Sequence, residues 1–239
     1  MNLLKAIFFD LDDTLFDHSY GVFYSMEKMH QDYECLQTRS VAEIVAEHRR
    51  LLDLIHIEVL AARLTQDQAR VQRMQGLFSF CGATAGEEVA VQAAARHRRR
   101  YLEAQRAVPG ARELLTRLRA SMKIVVVTNN LLREQQEKLQ TCGLTDVVDD
   151  LITSEEFGFA KPDPEIFRIA LHRAHCTAAE AVMIGDSWNV DIVGARNAGI
   201  RPIWFNRRRD PQPDGAPVEE IHSLEPTDSI AAQILRTAR

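Results

Sequence analysis

An apolar run near the N-terminus, FFDLDDTLFD, ends in Asp10, Asp12 and Asp13, three acidic residues within four positions. Carboxylates left unpaired beside a core are costly, so the chain must supply a compensating partner. Other polar residues recur in the same setting. Thr128 ends IVVVT, Asp186 ends AVMIGD, and Lys161 lies in the loop GFAKPDPEIF that follows DDLITS. Each stands at or beyond the C-terminal end of a strand-like run, the edge at which open α/β sheets bind ligands. An extended period of two aims Asp10 and Asp12 to one side. Clustered carboxylates repel one another unless a cation intervenes, and an all-oxygen donor set suits Mg2+ better than zinc. With Lys161 as fixed positive charge and Thr128 as a hydrogen-bond donor, the set is suited to chemistry on a phosphoryl group.

Hydrophobic periodicity gives the elements that must position these residues. Residues 6–9 read as a strand, and the stretch from 19 to 105 reads as a helical bundle. In it, Val22, Met26, Met29 and Tyr33 recur on one helical face. Ser40 with Glu43 has the capping-box spacing, ahead of the stripe Val41, Ile44, Val45, Leu51, Leu52, Ile55. Thr65 with Gln68 and Thr84 with Glu87 repeat that spacing before two more helices. Beyond Val108-Pro109-Gly110 the pattern changes. KIVVVTNN is a continuous β-branched run of the kind buried on both faces. DDLITS, AVMIGD and IRPIWF read as further strands, with helices at 111–120, 131–140 and 164–174 and one over SWNVDIVGARNAG ending at Gly199. A Pro-rich loop at 206–217 precedes a short edge strand and a terminal helix. This alternation predicts an α/β fold with a parallel sheet covered by helices on both faces.

At 239 residues the chain fits one core domain carrying a large insertion. Its 46% apolar and 26% charged residues are those of an ordinary globular protein, and a net charge of −5 gives no case for a nucleic acid polymer as partner. The four cysteines show no metal-type spacing and read as reduced thiols. No secretory h-region and no membrane-length apolar run is present, so the expected setting is cytoplasmic, with no membrane partner. Nothing in the pattern specifies an oligomeric state. The basic stretch RHRRRYLEAQR reads as a solvated helix face, with attraction of an anionic substrate as the alternative.

Taken in order, four motifs resemble the haloacid dehalogenase (HAD) superfamily of aspartate-nucleophile phosphohydrolases. FFDLDDTL is similar to the first motif, D-x-D-x-T, and VVVTNN to the second, a strand ending in Thr or Ser. Lys161 matches the third, and VMIGDSWNVDIVGARNAG, with Asp186 and Asp191, the fourth. The resemblance implies a Rossmann-like parallel sheet in a catalytic core of residues 1–17 and 106–239, with an α-helical cap domain at 18–105. It implies that Asp10 is the nucleophile and that Asp12 is the general acid, then the general base. Lys161 and Thr128, with the backbone N–H of Asn129, would hold the substrate phosphate. Mg2+ would be bound by the Asp10 carboxylate, the Asp12 backbone carbonyl and Asp186, with Asp191 orienting water or Lys161. Asp13, Asp163 and Ser187 read as turn or cap residues.

The implied activity is Mg2+-dependent hydrolysis of a small phosphorylated metabolite through an aspartyl-phosphate. SEEFGFAKP resembles the branch that includes pyrimidine 5′-nucleotidases, which suggests a nucleoside monophosphate. Phosphomutases share all four motifs. 2-Haloacid dehalogenases share the nucleophile but lack an acid at the position of Asp12. A receiver-like regulatory phosphoacceptor also combines acids, a threonine and a lysine, yet has no use for a helical insertion.

Overall fold

The computed structural model describes residues 3–61, 63–213, 215 and 217–236. In chain order its elements are β1 (Ala6–Phe9), α1 (His18–Asp32), α2 (Val41–Leu60), α3 (Gln66–Phe80), α4 (Glu87–Glu103), α5 (Ala111–Arg119), β2 (Lys123–Thr128) and α6 (Leu132–Thr141). There follow β3 (Asp150–Thr153), α7 (Ser154–Phe157), α8 (Pro164–Ala174), β4 (Ala181–Gly185), α9 (Val193–Asn197), β5 (Arg201–Phe205), β6 (Glu219–Ile221) and α10 (Thr227–Ile234). They form two compact units, His18–Gln105 and the remainder of the chain on either side of it.

The second of these is a parallel α/β unit whose six strands run in the order β3-β2-β1-β4-β5-β6. The strand sequence 1-2-3 grows to one side of β1 and 4-5-6 to the other. The reversal therefore falls between β1 and β4, the crevice where such sheets take ligands. Every residue of β1 is fully buried, which is why AIFF carries no polar alternation. On one face Phe8, Val125, Val127 and Met183 pack against Ile166, Phe167 and Ala170 of α8. Leu114, Leu115 and Leu118 of α5 are buried as well, and α5 packs against β2 and α10. Part of the Pro-rich loop, positions 214 and 216, lies outside the described residues.

The helical unit comprises α1 to α4. Val22, Met26 and Met29 are buried along α1 as the periodicity predicts, and Tyr33, just past its end, stacks edge-on to Phe78 at 5.3 Å. Both capping boxes at Ser40/Glu43 and Thr65/Gln68 form. The one expected at Thr84 does not. Helix α4 starts at Glu87 with Gly86 as its cap residue, so Glu87 lies in the first turn, where it and Glu88 complement the helix dipole instead. The basic stretch at the end of α4 is largely tied down within the unit. Arg96 and Arg100 pair with Asp32 at 2.9 and 2.8 Å, and His97 and Tyr101 are buried.

Candidate active site

Strand register brings the motif residues to one edge of the sheet. Phe9 lies opposite Val126 on one side and Ile184 on the other, so the chain leaves β1 at Asp10 level with the ends of β2 and β4. The Asp10 N–H donates to the Ile184 carbonyl at 2.9 Å, which holds Asp10 against β4. After Asp10 the chain turns tightly, with Asp13 at φ 63° in the left-handed region that Asp tolerates. The turn reading of Asp13 therefore fits. Thr14, in the same turn, donates to Asp10 Oδ2 at 3.3 Å.

Lys161 is the hub. Its Nζ donates to Asp10 Oδ1 and to Asp191 Oδ1, both at 2.7 Å, and the side chain is 1% exposed. Two features hold it there. Asn129, directly after β2, clamps the Lys161 backbone: its Nδ2 donates to the Lys161 carbonyl and its Oδ1 accepts from the Lys161 N–H, each at 2.7 Å. Gly194 in α9 leaves room for the loop that follows, since a Cβ there would lie 3.0 Å from the Pro162 Cα.

The segment after β4 departs from the single helix that its sequence predicts. Residues Trp188–Ile192 form a wide π-type turn before α9 begins. Ser187 makes no side-chain cap. Instead its N–H donates to Asp191 Oδ2 at 3.0 Å, so one Asp191 oxygen fixes the turn while the other meets Lys161. Gly185 sits under this carboxylate, and any Cβ at 185 would collide with the Asp191 side chain. Asp163 does cap α8, accepting from the Glu165 N–H at 2.9 Å. The Asp186 carbonyl accepts from Trp204 Nε1 at 2.8 Å.

Asp10, Asp186 and Asp191 each offer a carboxylate oxygen within 4.8 Å of the others. The electrostatic consequence is large. Burial, with Asp191 and Asp12 adding to it against Lys161, pushes the Asp10 carboxyl up to about 7. Burial together with Asp10, Asp191 and Asp13 raises Asp186 well above the carboxylate range. Burial alone would lower Lys161, but the charges of Asp10 and Asp191 outweigh it and keep the ammonium protonated. One lysine thus fails to neutralise three crowded acids, and a divalent cation with hard oxygen ligands fits the remaining charge.

Two buried polar residues were not singled out by the sequence. Gln135 and Lys138, both on α6, reach Asp12. Lys138 Nζ donates to Asp12 Oδ1 at 2.6 Å and Oδ2 at 2.8 Å, and Gln135 Nε2 donates to Asp12 Oδ2 at 3.1 Å and to Thr128 Oγ1 at 2.7 Å. A signal existed, because Gln135 shares a face with buried Leu139 at i, i+4.

A model of the haloacid dehalogenase-like hydrolase family matches residues 4–199. The chain belongs to this family. Among HAD relatives, pyrimidine 5′-nucleotidase YjjG of Escherichia coli is 32% identical over 226 residues, covering 92% of this chain and 95% of that protein. A glyceraldehyde 3-phosphate phosphatase of Methanothermobacter thermautotrophicus is 29% identical, covering 85% and 86%. The HAD-hydrolase YfnB of Bacillus subtilis, solved bound to magnesium, superposes with a TM-score of 0.74 at 25% identity, over 96% of this chain and 99% of that one. The chain is accordingly a HAD-family hydrolase with a parallel α/β sheet. No helix among its described residues is long and apolar enough to cross a membrane.

Proposed function

We propose that this HAD hydrolase is a Mg2+-dependent phosphatase acting on a small phosphomonoester through an aspartyl-phosphate on Asp10. One observation carries the reading: Asp10 bonds to a buried lysine beside two further carboxylates, while Asp12 is joined through Gln135 to Thr128. An attacking carboxylate, a second acid and phosphate-binding donors are thereby gathered in one place.

The Asp10 and Asp186 carboxylates and the Asp12 carbonyl would hold the metal, with Asp191 alongside. When bound, it supplies charge neutralisation that lets an anionic nucleophile approach an anionic ester. Lys161 and Thr128 bind the phosphoryl oxygens and stabilise charge as it develops. Attack forms the Asp10 Oδ–P bond and breaks the P–O bond to the leaving group, whose oxygen takes the Asp12 proton. Asp12 then removes a proton from water, which attacks phosphorus and releases Asp10, and Asp12 is protonated again. An acid at position 12 favours this cycle over dehalogenation, where no alkoxide needs protonating.

The helical unit serves in this reading as the substrate-selecting cap, with the Asn129 N–H as an added phosphate donor. Similarity to the Escherichia coli nucleotidase along nearly the whole chain makes a pyrimidine nucleoside monophosphate the first substrate to try. Triose phosphates come next, from the archaeal relative. The test is phosphate release from such a panel with Mg2+ or EDTA, using wild type and Asp10→Asn, which is nearly isosteric. Turnover that requires metal and is abolished in folded Asp10→Asn supports the reading. Appreciable activity in that variant refutes the nucleophile. A single slowly lost phosphoryl group without turnover points to a mutase or a regulatory phosphoacceptor.

A further inference from the structure

We propose that Gln135 and Lys138 are positioning residues that set Asp12 and Thr128 jointly for transfer of the leaving-group proton. The inference rests on the phosphatase reading above. It starts from an anomaly on α6. This helix is polar in sequence, yet it buries a glutamine completely and a lysine to 7% side-chain exposure. Lysine is almost never buried unless paired, and a buried ion pair is seldom more stabilising than well-packed apolar residues of the same volume. Stability alone gives little reason for the arrangement, whereas geometry gives a specific one.

Lys138 grips both oxygens of Asp12, and its Nζ also lies 5.1 Å from the centroid of the Phe16 ring. Those contacts fix the ammonium from two directions, and the doubly held carboxylate has little rotational freedom. Gln135 adds the link. Its amide nitrogen has two hydrogens; it donates to Asp12 Oδ2 and to Thr128 Oγ1. Because Thr128 Oγ1 accepts from Gln135, the threonine's own hydrogen remains available to donate to a phosphoryl oxygen. One amide therefore sets the Asp12 carboxylate and the Thr128 hydroxyl at the same time. The two side chains sit at i and i+3 on one helical face, so α6 acts as a single rigid mount for both.

The prediction separates this role from a general structural one. For substrates with an alkoxide leaving group, kcat/KM depends on proton delivery by Asp12. For p-nitrophenyl phosphate, whose leaving group departs without a proton, it does not. Both kcat/KM values end at formation of the aspartyl-phosphate, so the later hydrolysis step does not enter. Lys138→Met keeps the length of the stem and removes the ammonium. It is expected to lower kcat/KM for an alkyl phosphate at least about tenfold more than for p-nitrophenyl phosphate, a part of the roughly 10²–10⁴-fold that loss of a positioned acid typically costs. Gln135→Met removes only the amide, gives a second variant should Lys138→Met misfold, and is expected to discriminate in the same direction. Lys138→Arg restores a cation and is expected to recover part of the loss. Equal losses on both substrates, or none on either, overturn the proposal. A wild type that turns over neither substrate refutes the phosphatase reading itself, and the inference with it.

Discussion

Gly194 offers a test of how closely the site depends on packing behind it. The residue lies in α9 and is not among those with positive φ, so alanine suits its backbone. Helix propensity alone would favour Ala by up to about 1 kcal/mol. What the position lacks is room. A Cβ would stand 2.8 Å from Phe167 Cε2, 3.1 Å from Phe167 Cζ and 3.0 Å from the Pro162 Cα. Phe167 is fully buried in the core cluster, and the Pro162 contact is to backbone next to Lys161. Overpacking of this kind typically costs about 1–3 kcal/mol, which exceeds the propensity gain. The net expectation for Gly194→Ala is a loss of up to about 2 kcal/mol, centred near ~1 kcal/mol, or roughly 2–4 °C in Tm at the centre. The strain falls on catalysis as well. Relieving it separates α9 from the Pro162 loop, and the wide turn leading into α9 carries Asp191 while that loop carries Lys161, side chains that meet at 2.7 Å. A shift of a few tenths of an ångström there is expected to lower kcat by on the order of tenfold. Both tryptophans, Trp188 and Trp204, belong to the α/β unit and stack edge-on at 5.0 Å, so tryptophan fluorescence during urea or thermal unfolding follows this unit alone. A variant that melts at or above wild type with unchanged kcat refutes the close-approach argument.

Two other predictions concern buried charge away from the reaction. Asp17, 2% exposed, accepts from Arg106 at 2.9 and 2.7 Å and from Arg207 at 3.0 Å. Burial raises its pKa, but Arg207 and Arg106 more than offset this and hold the carboxyl below its ordinary value. The stabilisation is present above the unfolded carboxylate pKa and is lost as pH falls through the lower folded one; Asp17→Asn is expected to cost about 2 kcal/mol at neutral pH, and an unchanged urea midpoint by tryptophan fluorescence contradicts it. In the helical unit His48 and His97 stack at 4.9 Å, both buried. Burial first, then His97, Arg73 and His18, holds His48 well below the usual histidine value, and burial with Arg73 and His18 lowers His97 to about 3. The unfolded chain then takes up protons near pH 6.5 while the folded one does not. Stability of this unit is therefore expected to fall with pH below about 6.5, by about 1.4 kcal/mol per pH unit for each histidine. Asp10 and Asp186 titrate in the same window with the opposite sign, so the effect is read as the difference in the far-UV circular dichroism Tm drop between pH 7.5 and 5 for wild type and His48→Phe; equal drops in the two contradict it.

What could be read from the sequence, and what could not, follows from the range of the interactions involved. Buried strands such as AIFF and KIVVVT declare themselves because burial on both faces removes polar alternation from the string itself. The boxes at Ser40 and Thr65 close within three residues, so local spacing contains all that they need. The same spacing at Thr84 failed because three residues of separation do not fix where the helix starts, and it starts at Glu87. His48 occupies the inward face between Ile44 and Leu51, yet a stripe drawn through apolar residues alone passes it over. The site divides along the same line. Asp10, Lys161, Asp186 and Asp191 could be picked out because few roles suit such residues at strand ends, and the structure brings their charges together. The wide turn after Ser187 depends on Asp191 being drawn to Lys161, thirty residues earlier in the chain. Gln135 and Lys138 meet Asp12 across 123 and 126 residues. Glutamine and lysine on a polar helix read as solvated whenever their partner is that distant. Residue type and spacing can therefore nominate the groups able to do chemistry, whereas the groups that hold them still are set by tertiary contacts. In this chain those contacts converge on α6 and on the Asn129 clamp.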